Sequence, residues 1–230
     1  MRLHRFIGEY NLNKDNLEIT DLNFIKQIKS VLRLEISDFF ILCDGLGTEA
    51  KVEIIEIDKE KIRIKILEKI EKENNLKKVS LYLAILKKEN FELAVEKAVE
   101  IGVNEIIPII TTRTVKTGLN IERLNKIIRE ASEQSGRAIL PTLHPTLKFE
   151  DAINHIGKTY GVIFDLSGGK YEPEQDKKDF SIFIGPEGGF TEKEIIQAKE
   201  AGLFVSLLGE NTLRAETAAI VATYKIINNL

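Results

Sequence analysis

Apolar and charged positions change rhythm once along this 230-residue chain. In the first third they partly alternate. Val52-Glu53-Ile54-Ile55-Glu56-Ile57 and Ile62-Arg63-Ile64-Lys65-Ile66 set branched aliphatics on one face and charge on the other. That period-two pattern predicts strands with one face in a core. Phe39–Cys43 predicts a shorter apolar strand, Asp44-Gly45-Leu46-Gly47 a turn, and residues 58–61 a turn between the two longer strands. Together these elements predict a small antiparallel β-barrel or sandwich. Residues 68–78 are dense in charge and contain Asn74-Asn75. This stretch marks a boundary between a domain over residues 1–72 and a second over residues 73–230.

From Val79 onward the apolar runs become continuous. Val79–Leu86, Glu105–Ile110, Tyr160–Leu166, Ser181–Ile184 and Leu203–Leu208 predict strands of the kind buried on both faces of a parallel sheet. Between them, Asn90–Ile101 carries Phe91, Ala94, Val95, Ala98 and Ile101 on one helical stripe, with Gly102 at its end. Ile121–Ser135 predicts a second helix, ended by Gly136. Thr191, with Glu194 three residues on, predicts a capping box for a helix to Ala201. Glu216–Asn228 predicts the closing helix. Strands alternating with helices make this an α/β domain.

Composition narrows the class. Hydrophobic residues at 43% and charged residues at 30% suit a globular protein with a core. No apolar run approaches the ~20 residues that span a bilayer, so no membrane partner is expected. The start, Met1 to Phe6, lacks an apolar segment behind its basic residues, so no signal peptide is expected. The single Cys43 excludes an internal disulfide and suits a cytoplasmic location. It is expected to be a small buried residue with no obvious partner. A net charge of −3 argues against a surface that grips nucleic acid everywhere. Residues 111–148 nevertheless hold seven Lys or Arg against three Glu. Charge alone fits either a local basic face or a solvated helix there.

Two motif matches fail on context. Gly45-Leu46-Gly47-Thr48-Glu49-Ala50 fits G-x-G-x-x-A, but a strand follows it where a dinucleotide site needs a helix. Gly157-Lys158-Thr159 lacks the earlier glycine of a phosphate loop, because Ala152 stands there. His4, His144 and His155 lie far apart with no ligand spacing, so no metal is expected.

The stretch with chemical promise is the last third. Ile184-Gly185-Pro186-Glu187-Gly188-Gly189-Phe190, then Leu208-Gly209-Glu210 and Leu213-Arg214-Ala215-Glu216-Thr217-Ala218, each lead from an apolar strand toward a helix. Glycine at such exits lets backbone groups approach a ligand closely. Open α/β sheets bind ligands at these strand ends. Arg214 and Glu216 would stand at the rim of the pocket so formed. The same pair also fits a plain ion pair at a helix start.

These segments resemble the SPOUT superfamily of methyltransferases, and more narrowly the RsmE family, which methylates uridine N3 in 16S ribosomal RNA. The resemblance extends along the chain. It takes in Val31-Leu32-Arg33-Leu34, Asp44-Gly45, Glu96-Lys97-Ala98, Glu100-Ile101-Gly102-Val103, Arg113, residues 130–137 and Pro141. The chain departs from the family at Asn211-Thr212, where a basic residue and a branched aliphatic are usual. A non-catalytic RNA-binding or ribosome-assembly protein, or a sister enzyme with another RNA target, would share most of these features.

The resemblance implies a PUA-like barrel followed by a SPOUT domain with a deep trefoil knot. It also implies a homodimer acting on 16S ribosomal RNA of the small subunit, with S-adenosylmethionine as cofactor. Cofactor contacts are then expected at Leu166, Ile184, Gly185, Pro186, Gly188, Gly189, Leu207, Leu208, Gly209, Asn211 and Leu213. Arg214 is the candidate cation for an anionic uracil. Glu216 or Glu187 would take its proton, and sequence does not choose between them. Arg5, Arg33, Arg113, Arg129 and Arg137 are the candidates for RNA contact.

Overall fold

A computed structural model of the chain describes residues 3–72, 77–174 and 176–230. The chain divides into two compact units, Met1–Asn74 with Ser132–Leu140, and Asn75–Ala131 with Pro141–Leu230. Ser132–Leu140 thus groups with the first unit, although the charge-based boundary assigns it to the second. The Asn74-Asn75 pair of that boundary lies outside the described residues.

The first unit contains β1 (Arg5–Ile7), β2 (Asn16–Ile19), α1 (Leu22–Lys26), β3 (Phe39–Cys43), β4 (Thr48–Ile57) and β5 (Ile62–Glu71). Its strands form one sheet in the order β1-β3-β4-β5-β2. β4 and β5 make a hairpin closed by Asp58, whose Oδ1 accepts the N–H groups of Glu60 and Lys61. The alternation read from sequence buries Val52, Ile54, Ile62 and Ile64. Phe6 lies edge-on to Phe24 at 4.9 Å and to Phe40 at 5.3 Å within the same core. The expectation of a wholly antiparallel unit is corrected at one pair, since β1 runs parallel to β3. These two strands are joined by a long crossover holding β2 and α1, so no hairpin forces them antiparallel. That crossover was not legible because α1 spans five residues and runs on into a single π turn over Gln27–Val31.

The second unit runs β6 (Lys78–Ala84), α2 (Lys88–Ile101), β7 (Glu105–Ile110), α3 (Ile121–Ser135), β8 (Thr142–Leu143), β9 (Leu147–Lys148), α4 (Phe149–His155), β10 (Tyr160–Lys170), β11 (Asp179–Ile184), α5 (Glu192–Glu200), β12 (Phe204–Leu207) and α6 (Ala215–Asn228). The last residues of α3 belong to the Ser132–Leu140 segment of the first unit. The main sheet has the order β12-β10-β11-β6-β7-β8, and every pair in it is parallel. α4 and α5 cover one face through Phe149, Ile153, Ile195 and Ala198, which pack on Tyr82, Ile107, Ile163 and Phe183. α6 packs on β6 and β11 and against α2. Cover on both faces explains the continuous apolar runs of β6 and β11. Among the described residues no helix is long and apolar enough to cross a membrane.

The sequence did not show β8, β9 or α4, and one strand runs well past its expected end. The strand expected to end at Leu166 runs on as β10 to Lys170, with its register broken between Phe164 and Gly169. Both of those residues pair with Ser206 of β12, so residues 165–168 are an excursion within the strand. Ser167 holds it in shape, donating its N–H and hydroxyl to Asp165 Oδ1 at 2.9 and 2.6 Å.

Candidate active site

Because the main-sheet strands are parallel, their C-terminal ends share one edge. The exits of β6, β10, β11 and β12 therefore converge, and between them lies a cavity of about 650 Å³. Every residue expected at a cofactor site lines it: Leu166, Ile184, Gly185, Pro186, Gly188, Gly189, Leu207, Leu208, Gly209, Asn211 and Leu213. Glu187, Arg214 and Glu216 line it too. Lys87 and Asn90 also line the wall, and the sequence reading did not select them. Phe164, Phe190, Thr212, Ala215 and Ala218 complete the wall with Asp165.

The three charged candidates stand in different surroundings. Arg214 is the N-cap residue of α6, extended in backbone (φ −64°, ψ 152°) and exposed in side chain. Glu216 sits in the first turn of α6 and is only 6% exposed. Its Oε2 is buried without a hydrogen-bond partner. No ion pair joins Arg214 to Glu216 among the described residues, so the plain reading of a surface bridge between them falls away. A buried, unpaired carboxylate oxygen costs free energy. Glu187 is instead engaged, its Oε1 accepting the backbone N–H of Lys87 at 3.1 Å. It ties the glycine loop after β11 to the start of α2.

That loop is anchored on its other side as well. Arg113 Nη1 donates to the carbonyl oxygens of Gly188 at 2.6 Å and Phe190 at 3.2 Å. Glu194, in the capping box of α5, accepts from Thr191 N–H at 2.7 Å with Oε2 and from Thr112 N–H at 2.8 Å with Oε1. Burial works to raise the Glu194 pKa, but these hydrogen bonds outweigh it and hold the carboxyl below its usual range.

The arginines expected at RNA are placed singly. In the first unit, Arg5 is ion-paired with Glu49 and donates to Cys43 Sγ at 3.0 Å. Cys43 is therefore not without a partner, as sequence suggested, and burial pushes its thiol up to about 11. Arg33 lies in left-handed backbone (φ 55°) beside a shallow cavity that Lys29 also lines. Arg137 Nε donates to the Ile139 carbonyl at 3.3 Å, and burial lowers its pKa to about 10. In the second unit, Arg129 is exposed on α3, while Arg113 is spent on the glycine loop. The sequence separation of the histidines misleads for one pair. The rings of His144 and His155 are 6.4 Å apart, and His155 Nδ1 meets the Tyr82 hydroxyl at 2.9 Å.

Comparison with known proteins gives matches over both units. A family model described as an RNA methyltransferase domain matches residues 72–227, and one described as an RNA methyltransferase PUA domain matches residues 28–67. The chain is 30% identical to the ribosomal RNA small subunit methyltransferase E of Rickettsia conorii, over 96% of this chain and 93% of that protein. It is 36% identical to the enzyme of the same name from Mesomycoplasma hyopneumoniae, over 73% of this chain and 77% of that one. A crystal structure of a ribosomal RNA small subunit methyltransferase E from Neisseria gonorrhoeae, bound to S-adenosyl methionine, superposes with a TM-score of 0.89. It is 27% identical and covers 96% of this chain and 95% of its own.

Proposed function

This chain belongs to the RNA methyltransferase family, and from that premise we propose that it methylates N3 of a uridine in 16S ribosomal RNA of the small ribosomal subunit. S-adenosylmethionine is its cofactor. The residues present suit that group. The cavity's ~650 Å³ lies within the range of small-molecule sites. Leu207, Leu208 and Leu213 offer apolar wall, and the glycine loop after β11 offers backbone groups. Bound there, S-adenosylmethionine supplies a methyl group already activated on a sulfonium.

The observation that carries the reading is that Glu216, whose Oε2 is buried and unpaired, lines the same cavity as that loop. Uracil N3 holds a proton and is a poor nucleophile until it leaves. Glu216 accepts that proton, and the freed electron pair on N3 forms the new N–CH3 bond as the old S–CH3 bond breaks. Arg214, exposed at the cavity, stabilises the negative charge that spreads to the ring oxygens. Glu187 is left to its bond with Lys87. The charge pattern adds a first domain over residues 1–72 and a second over 73–230, and the single cysteine suits work in the cytoplasm. The resemblance adds a knotted thread through the second domain, a homodimer and ribosomal RNA as substrate.

The test is direct. Purified protein is titrated with S-adenosylmethionine by calorimetry, then incubated with small subunits that lack the modification, and the RNA is mapped by mass. One N3-methyluridine in 16S RNA is expected. Failure to take up the cofactor, or methylation at another atom, overturns the reading.

A further inference from the structure

We infer that Arg113 is a positioning residue of the cofactor loop, and not one of the groups that grip RNA. The inference rests on the reading of the cavity given above. Three observations meet at this side chain. Its Nη1 donates to two carbonyl oxygens of one loop, Gly188 at 2.6 Å and Phe190 at 3.2 Å. Its aliphatic stem lies against Gly188 so closely that a Cβ built there would meet Arg113 Cδ at 3.3 Å. And the turn from which it projects is itself fixed.

Thr111 N–H donates to Thr114 Oγ1 at 2.9 Å, and Thr114 N–H returns to the Thr111 carbonyl at 3.1 Å. Thr112 N–H is held by Glu194 Oε1 at 2.8 Å. Arg113 thus spans from the exit of β7 to the exit of β11. A glycine-rich loop has many backbone states open to it. A planar guanidinium on two of its carbonyls removes most of them before any ligand arrives, so the cofactor meets a loop already ordered. With Nη1 committed to two carbonyls, the guanidinium is held at the loop and has one nitrogen fewer to offer a phosphate. Its place in the basic 111–148 stretch is then incidental.

The experiment separates the two roles. Affinity for S-adenosylmethionine is measured by calorimetry, and affinity for 16S RNA is measured across a salt series, for wild type, Arg113→Ala and Arg113→Lys. A brace predicts that Arg113→Ala weakens cofactor binding about tenfold, raises KM for the cofactor more than it lowers kcat, and leaves the salt slope of RNA binding unchanged. Arg113→Lys restores part of the affinity, since an ammonium can also donate to these carbonyls but sits one bond closer to the backbone than Nη1. A phosphate contact predicts the reverse: unaltered cofactor affinity and a salt slope smaller by about one. Hydrogen exchange over residues 184–191 without ligand is the second measurement. Faster exchange in Arg113→Ala supports the brace, and equal exchange overturns it. Wild type that takes up no cofactor would sink the methyltransferase reading, while the exchange result would still decide the brace.

Discussion

Glu187 Oε1 and the backbone N–H of Lys87 are 3.1 Å apart, a hydrogen bond that gives one of the two candidate carboxylates a structural task. The other, Glu216, keeps a buried oxygen with no partner. A carboxylate already tied to a backbone N–H is held in one orientation by that bond, and Glu187 still keeps Oε2 open, so the choice of Glu216 rests on its buried, unpaired oxygen. Glu216→Gln is expected to lower kcat by about 10²-fold or more, the usual worth of a general base. Glu187→Gln retains a side-chain carbonyl for Lys87 N–H and is expected to stay within about threefold of wild type, since a neutral acceptor replaces a charged one in an exposed bond worth ~1 kcal/mol. Single-turnover methylation of small subunits checks both. A larger loss in Glu187→Gln than in Glu216→Gln would return the choice to Glu187.

Arg214 offers a second prediction. Its guanidinium is exposed, at the N-cap of α6, and lines the cavity. A group that meets charge developing on the substrate contributes to the transition state and little to resting cofactor binding. Arg214→Ala is expected to cut the rate by about 10²–10³-fold while calorimetry with S-adenosylmethionine stays nearly unchanged. Arg214→Lys should recover only part, because a point charge lacks the planar fork that faces a ring oxygen. A parallel fall in cofactor affinity would make Arg214 part of the cofactor site instead.

The sequence made the second unit more legible than the first, for physical reasons. β6 and β11 are buried on both faces, so their apolar runs stand out. The capping box Thr191–Glu194 is a local device, readable without any tertiary information. β1 and α1 are too short for a period to show, and β1 is held by its pairing with distant β3. In the site, residues selected by glycine and strand-exit position came together as a group. Lys87 and Asn90 escaped because their membership depends on β6 lying beside β11, a fact of sheet order. The partners of Arg5, Cys43 and Arg113 are far away in sequence, so a list of basic residues could not separate engaged arginines from free ones.

A third prediction concerns Gly168, in the excursion of β10. A Cβ there would stand 2.6 Å from both the N and C atoms of Ser206, which are backbone and cannot swing aside. Gly168→Ala is expected to destabilise by about 3 kcal/mol or more, the upper end of overpacking costs. Gly169→Ala meets nothing within 4 Å. It should stay within about 1 kcal/mol of wild type, as expected for a Gly→Ala change free of strain. Urea midpoints for the two variants provide the comparison. Equal midpoints would mean that the close contact with β12 relaxes at little cost.

The last prediction concerns pH. Glu194 is buried, yet its two oxygens accept N–H groups from Thr191 and Thr112 together with the Thr191 hydroxyl. Burial raises its pKa, and the hydrogen bonds more than reverse that, so the folded value lies below the unfolded value near 4.5. A depressed folded pKa means that the charged form stabilises the fold above the unfolded value. The contribution is lost as pH falls through the lower folded value. In Glu194→Gln one oxygen becomes an amide nitrogen and turns a donor toward a backbone N–H. The loss at neutral pH should be about 1–3 kcal/mol, the cost of leaving a buried group unpaired. Urea unfolding of both proteins from pH 7 downward should show a constant gap to about pH 4.5. Below it the gap should narrow, as wild-type Glu194 takes up its own proton and becomes as poor an acceptor as the amide. A gap that stayed constant into acid would mean that the carboxylate charge adds nothing at this joint, and that shape alone holds α5 to the turn bearing Arg113.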